Sequence, residues 1–276
     1  MQFKNTIKSI AIGSFDGIHL GHKALINQVE AVVVIERNGG YLTPGYKRSW
    51  FTEKPCFFYH FEHIYALSAK EFVAKLSTDF PKLETFVVGY DFGFGYKKEG
   101  DTQLLKELFR GKVNVIEEVK EQDVSVHSRT IKHHIEMAEI QKVEAFLNRP
   151  YVVMGKVIKG QGLGSKELVP TLNLNIYDYQ LPKNGVYATY TKIDEIWLPS
   201  ISFIGIRATT DGAFAIESHI LNQNIGEVKG NVELLFVQYL RENKKFASLG
   251  ALRTQIFLDI DEAEAILKQG EIPTFS

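Results

Sequence analysis

The sequence predicts an α/β domain followed by an all-β domain. Up to about residue 147, short apolar strands alternate with helical segments. After Asn148-Arg-Pro150 the helical periodicity stops, and strand candidates crowd together with Gly, Pro and Asn between them. A single helical stretch, 249–267, then closes the chain, with Leu252, Ile256, Ile260 and Ala263 at helical spacing. At 276 residues the chain suits two domains, each long enough for its own core. The boundary is expected near residue 150, giving domains 1–149 and 150–276.

The elements follow in order. Lys8-Ser-Ile-Ala-Ile-Gly13 is apolar enough for a first strand, and 23–29 reads as a helix with Ala24, Leu25, Ile26 and Val29 inward. Residues 31–35 and 85–88 are strand-like. Ser68-Ala-Lys-Glu71 is a capping box that opens a helix with Phe72, Val73 and Leu76 facing the core. Asp101 caps another helix carrying Leu104, Leu105, Leu108 and Phe109, with Gly111 as its stop. A strand at 113–116 and helical stretches at 131–135 and 143–147 complete this half. Alternation of this kind predicts a parallel sheet covered on both faces, with ligands at the carboxyl ends of the strands. In the second half the strand candidates are 151–158, 172–176, 185–191, 196–206, 214–221 and 232–240, which suggests a compact antiparallel barrel.

Composition narrows the class. Lys and Arg total 32 against 33 Asp and Glu, so the charge offers no grip on nucleic acid or an anionic membrane. The single cysteine, Cys56, excludes an internal disulfide framework and fits a reducing, cytoplasmic compartment. Residues 1–12 lack the apolar core of a signal peptide, and no apolar run approaches the roughly 20 residues of a membrane helix.

Chemistry concentrates in a few motifs. Gly13-Ser-Phe-Asp-Gly-Ile-His-Leu-Gly-His22 joins the first strand to a helix. Glycines there let the backbone approach a ligand, and a helix start offers N–H groups to an anion. His19 and His22, three apart on the first turn, can face one ligand, so the run reads as a phosphate cradle. Val87-Val-Gly-Tyr-Asp-Phe-Gly-Phe-Gly95, followed by Gly100-Asp101, puts backbone donors and aromatic faces after a strand; the alternative is a tight loop with Phe92 and Phe94 packed inward. Gly155-Lys-Val-Ile-Lys-Gly160, with Gly162 and Gly164, makes a flap able to wrap phosphates. It leads into Pro170-Thr-Leu-Asn173, where Thr171 and Asn173 point the same way and offer two oxygens to a small hard cation. Ile216-Glu-Ser-His-Ile-Leu221 places Glu217, His219 and Leu221 on one face, and a carboxylate on an apolar strand is costly to bury without a task or partner.

These motifs resemble those of the bacterial bifunctional riboflavin kinase/FAD synthetases. The first resembles G-x-F-D-G-x-H-x-G-H, a longer form of the HxGH signature of nucleotidyl transferases, carried here by Gly13, Phe15, Asp16, Gly17, His19, Gly21 and His22. Gly89, Asp91 and Phe92 lie in the counterpart of G-x-D-F-x-F-G, which helps hold nucleotide and flavin. His127-Ser-Arg-Thr-Ile-Lys132 stands where the family has S-S-T-x-I-R, with Ser128 kept and Lys132 in place of arginine as phosphate-binding candidates. The family's T-F-x-P-H-P is absent; Val33-Val-Ile-Glu-Arg-Asn38 occupies its place. The flap and P-T-x-N resemble the riboflavin kinase signature, with Ser165 replacing an arginine and Leu172 an alanine. Arg241 and Phe246, in Leu240-Arg-Glu-Asn-Lys-Lys-Phe246, match the family's flavin-site pair.

The resemblance implies a Rossmann-like nucleotidyl-transferase domain and a riboflavin-kinase barrel with a terminal helix. In the barrel, the ribityl hydroxyl of riboflavin would attack the γ-phosphate of ATP, with Glu217 as the base and Mg²⁺ on Thr171 and Asn173. In the first domain, the FMN phosphate would attack the α-phosphorus of ATP, giving FAD, while His19 and His22 stabilise the departing pyrophosphate. Two other readings stay open: a riboflavin kinase with a degenerate first domain, suggested by the missing T-F-x-P-H-P, and a flavin-binding sensor.

Overall fold

The computed structural model describes residues 3–37, 41–160 and 168–268. By internal contacts the chain divides into two compact units, Met1–Thr130 and Ile131–Ser276.

The first unit is built on five parallel strands: β1 (Ser9–Gly13), β2 (Ala31–Glu36), β3 (Cys56–His60), β4 (Thr85–Gly89) and β5 (Lys112–Ile116). They lie in the order β3-β2-β1-β4-β5. Alternation along each strand sorts its side chains between two cores. Ile10, Ile12, Val33, Phe86 and Val88 join Phe72, Val73 and Leu76 of α2 (Ala69–Asp79) and Leu105 of α3 (Thr102–Leu108). Ala11, Val32, Val34 and Val87 join Leu25 and Ile26 of α1 (Leu20–Ile26) on the opposite face. The sheet is therefore covered on both sides, as the sequence predicts.

Caps set the helix boundaries. Ser68 and Glu71 form the reciprocal capping box expected before α2. The Asp101 carboxylate accepts from the amides of Gln103 and Leu104 at 3.0 and 2.9 Å. Several boundaries differ from expectation: α1 ends at Ile26, before Val29, and the helices Ser128–Glu136 and Ile140–Leu147 each begin three residues earlier than their apolar spacing suggests. α1 starts at Leu20 rather than Lys23, because His19 caps it; α3 ends at Leu108, with Phe109 as C-cap, before Gly111 is reached. The small hairpin β6 (Lys120–Glu121) and β7 (Val124–Ser125) is too short to announce itself by period, and the edge strand β3 reads Cys-Phe-Phe-Tyr-His, which has no alternation.

The division between units falls within α4 (Ser128–Glu136), and α5 (Ile140–Leu147) belongs to the second unit. Asn148 ends α5 in the left-handed conformation (φ +52°). Six strands follow: β8 (Tyr151–Ile158), β9 (Leu172–Ile176), β10 (Gly185–Ile193), β11 (Ile196–Ile206), β12 (Phe214–Ile220) and β13 (Asn231–Arg241). They close into an antiparallel barrel in the order β10-β11-β12-β9-β8-β13. Val186, Ala188 and Tyr190 face outward to Ala263 and Leu267 of α6 (Leu249–Leu267). The alternate residues Thr189 and Thr191 turn inward, where they share hydrogen bonds of 2.7–2.9 Å with Ser200, Ser202 and Ser218. Each hydroxyl can donate one bond and accept two, so such a buried network satisfies itself without water.

Candidate functional site

In the first unit the strand order reverses between β1 and β4, and a crevice outside their carboxyl ends is where sheets of this kind bind ligands. Gly13 ends β1 and Gly89 ends β4, so two of the sequence motifs meet at that switch point. After Gly13 the chain turns through three left-handed residues, Phe15 (φ +49°), Gly17 (φ +93°) and Ile18 (φ +44°). Strain at the two non-glycine positions is held in place because both side chains are fully buried in the core beneath α1. Between them Asp16 is buried, and its Oδ1 accepts from the amides of Leu42 and Thr43 at 2.8 and 3.1 Å. Its carbonyl accepts from Ser128 Oγ at 2.7 Å.

His19 caps α1: its Nδ1 accepts from the His22 amide at 3.3 Å. That bond assigns the ring proton to Nε2. The His19 and His22 rings stack 3.6 Å apart, with Phe15 edge-on to His22 at 5.1 Å. Gly21 permits this packing, since a Cβ there would sit 3.2 Å from the His19 ring and 3.3 Å from the Val126 carbonyl. In the second motif, Phe94 is buried in the core and Phe92 stacks on it at 5.4 Å, half-buried; Asp91 is exposed. The inward packing that the sequence left as an alternative therefore holds for Phe94. Lys132 lies on α4 beyond the division between units.

In the second unit a cavity of about 480 Å³ opens between α6 and the outer face of the barrel. Thr171, Asn173, Glu217, His219, Arg241 and Phe246 all line it, so the structure brings together the barrel residues singled out from sequence. The Glu217 carboxylate accepts from Arg207 Nη1 at 3.0 Å, and Arg207 also grips Asp211 through Nε and Nη2 at 3.0 and 2.8 Å. His219 donates from Nδ1 to the Pro170 carbonyl at 2.7 Å, leaving Nε2 as the acceptor nitrogen. Asp259 of α6, buried, holds Arg241 in a two-point ion pair at 2.8 and 2.6 Å. Arg241 in turn lies 5.7 Å from the Phe246 ring.

A second hollow, about 560 Å³, adjoins the first and shares Lys159, Gly160, Asn173 and Arg207 with it. Gly160 presses against Asn173: a Cβ there would lie 2.2 Å from its side-chain amide nitrogen. Gly155 sits within β8, whereas Gly162 and Gly164 lie outside the described residues. Arg207, in Gly205-Ile-Arg-Ala-Thr209, and Asp259, in the segment that ends Gln255-Ile256-Phe-Leu-Asp259, stand in stretches that match the family pattern, but their spacing gives them no role. Only the fold brings them to Glu217 and Arg241, although the order Arg207, Asp211, Glu217 around one hairpin is a usable signal.

Comparison with known proteins agrees with this layout. A sequence model described as FAD synthetase matches residues 2–37 and 53–130, and one described as riboflavin kinase matches residues 147–267. A bifunctional riboflavin kinase/FMN adenylyltransferase of Pseudomonas fluorescens is 28% identical over 92% of this chain and 91% of its own length. Proteins of the same description from Listeria monocytogenes and Escherichia coli K12 are 27% and 25% identical, covering 96% and 91% of this chain and 94% and 90% of their own. A solved structure described as a macrolide-efflux protein from Streptococcus pneumoniae covers 95% of this chain and 96% of its own length at 22% identity, with a TM-score of 0.82. That likeness is one of fold. Taken with the two matched halves and the motifs on them, the full-length similarity places this chain in the bifunctional riboflavin kinase/FMN adenylyltransferase family.

Proposed function

We infer that this chain phosphorylates riboflavin to FMN with ATP and adenylylates FMN to FAD with release of pyrophosphate. The observation that carries the reading is the pair of adjoining hollows in the barrel unit, with Asn173 in the wall of both and Glu217 in the wall of the first. The first hollow, with Phe246, Leu252 and Ile256 in its wall, suits the isoalloxazine ring. The second, with Ile158, Tyr177 and Phe214, suits the nucleotide. Residues 150–276 are assigned to the kinase and 1–149 to the adenylyltransferase.

In the kinase, Glu217 accepts the proton of the ribityl 5′-hydroxyl as its oxygen attacks the γ-phosphorus of ATP. Arg207 fixes that carboxylate by its 3.0 Å bond. The backbone at Gly160 brings the flap against Asn173, and phosphoryl transfer depends mainly on such positioning and charge stabilisation. Among the described residues no cluster of three or more His, Cys, Asp or Glu could hold a metal. Thr171 and Asn173 offer neutral oxygens, a donor set that fits Mg²⁺ completing its shell with phosphate oxygens and water. When bound there, Mg²⁺ supplies charge neutralisation on the phosphates.

In the adenylyltransferase, the FMN phosphate is already anionic and needs no base. His19 and His22 stabilise charge on the departing pyrophosphate, His19 from its protonated Nε2. Gly13, Phe15, Asp16, Gly17 and Gly21 shape the loop beneath them, with Gly89, Asp91, Phe92 and Ser128 as further contacts. No described helix is long and apolar enough to cross a membrane, and the lone Cys56 fits work in a reducing compartment.

Incubation with riboflavin and Mg·ATP, followed by chromatography, tests the reading. FMN and FAD together are the expected products. FMN alone means a degenerate first domain, and neither product overturns the enzyme assignment.

A further inference from the structure

We propose that His127 is a phosphate-contacting residue of the adenylylation site, held in position by Tyr90 and Glu118. The inference rests on the assignment of adenylylation to the first domain and adds a contact to that same site.

Three parts of the first unit converge on this histidine. On one side, the carbonyl of Val126 lies 3.3 Å from where a Cβ of Gly21 would stand. On the other, Ser128 Oγ donates to the Asp16 carbonyl at 2.7 Å. His127 is thus flanked by residues that touch the loop and first turn of the His19–His22 motif. Its ring reaches the end of β4, where Tyr90 follows Gly89 and is pinned by a 2.9 Å bond from its amide to the Ile116 carbonyl.

The hydrogen bonds assign the ring's protons. Tyr90 has one hydroxyl proton, and it goes to Glu118 Oε1 at 3.1 Å. The Tyr90 oxygen, 3.2 Å from His127 Nε2, must therefore accept from that nitrogen. Glu118 is fixed in turn by Ser125 Oγ, which donates to it, and by Lys120 at 3.4 Å. Nε2 is committed to this chain, and among the described residues Nδ1 has no hydrogen-bond partner.

An anion is the ligand this arrangement suits. With Nε2 donating to Tyr90, the doubly protonated imidazole presents its second N–H, at Nδ1, to a phosphate oxygen. His127 also stands where the resembled family places a serine. The substrate group is the polyphosphate of ATP, released as pyrophosphate.

The test uses the full chain and reads adenylylation in both directions: FMN plus Mg·ATP to FAD, and FAD plus pyrophosphate back to FMN and ATP. His127→Ser is expected to raise KM for ATP and for pyrophosphate roughly ten- to hundredfold, the range for a lost bond to a charged group, while KM for FMN holds. Tyr90→Phe should give a smaller rise, and Tyr90→Phe/His127→Ser should match His127→Ser alone, because Tyr90 acts through the imidazole. Thermal unfolding checks that each variant folds, and Tyr90→Phe carries the test if His127→Ser does not. An unmoved KM for pyrophosphate overturns the inference, as does a rise for ATP alone, which would mean a contact to the nucleoside. Wild-type protein that makes no FAD overturns the adenylylation reading and this inference with it. Active wild type with unmoved variants overturns the inference only.

Discussion

Asn173 and Glu217 stand directly opposite one another across the β9–β12 ladder. Directly paired residues on antiparallel strands project from the same face, so the amide and the carboxylate enter one cavity together. The register fixes their separation more firmly than any loop could. This couples the cation-binding candidate to the proton acceptor, and it defines where each can be perturbed alone.

Glu217→Gln keeps the side chain's shape and leaves an oxygen for Arg207, but removes the proton acceptor. FMN formation should fall roughly 10²–10⁴-fold, the usual contribution of a general base. Adenylylation of supplied FMN should continue. Near-normal phosphorylation by the variant would remove Glu217 from the role.

Gly160→Ala asks whether the flap must touch Asn173. The added methyl would come 2.2 Å from the amide nitrogen, so either the flap or the Asn173 side chain has to move. A displacement on the scale of 1 Å at a positioned ligand can lower the rate by about 10²-fold. FMN formation with Mg·ATP in excess is the measurement, and an unchanged rate would show that Asn173 is free to shift without penalty.

Much of this architecture was legible because its periods are clean. The limits read for β8, β9, β11 and α6 are those observed: Pro150 and Gly160 bracket β8, Pro170 precedes β9, β11 is a long run rich in Ile, Trp and Phe, and α6 repeats its apolar spacing over 19 residues. β3 is not legible because Cys56-Phe-Phe-Tyr-His60 shows no alternation, and none of its residues is fully buried at the sheet edge. The first turn of α1 is hidden for a different reason: a histidine rarely serves as a cap, so spacing alone makes His19 a residue of the turn. At the site, the residues of the motifs are visible in sequence, whereas the pairings between them are not. Arg207 reaches Glu217 only through the turn that joins β11 to β12, and Asp259 reaches Arg241 only once α6 lies against the barrel. Contacts of that kind are set by packing, which local spacing does not encode.

Asp259→Ala tests the tie between α6 and β13. The carboxylate is almost fully buried and binds Arg241 at two points, with Gln255 donating to it at 2.9 Å. Breaking a buried pair by removing one partner costs about 3–5 kcal/mol. The low end is expected here, because the Arg241 side chain keeps 20% of its surface exposed and can turn to water. Urea unfolding in a Trp50→Phe background, followed by Trp197 on β11, reports on this unit. A loss below about 1 kcal/mol would mean that the pair is not a structural tie.

His19 carries two jobs on two nitrogens, and a single substitution can separate them. Nδ1 caps α1 by accepting from the His22 amide, and the protonated Nε2 is the candidate contact to pyrophosphate. Asparagine is among the best N-caps, so His19→Asn should preserve the helix start while losing the donor at the Nε2 position. Thermal stability of the variant should stay close to wild type, and FAD formation should fall roughly 10²–10³-fold, as for loss of one preorganised donor to a developing charge. His19→Ala, which also lacks the cap, should show the same catalytic loss together with about 0.5–2 kcal/mol of destabilisation. The two variants thus agree in rate and differ in stability. If His19→Asn makes FAD at the wild-type rate, the imidazole serves α1 as a cap alone, and the stabilising role falls to His22.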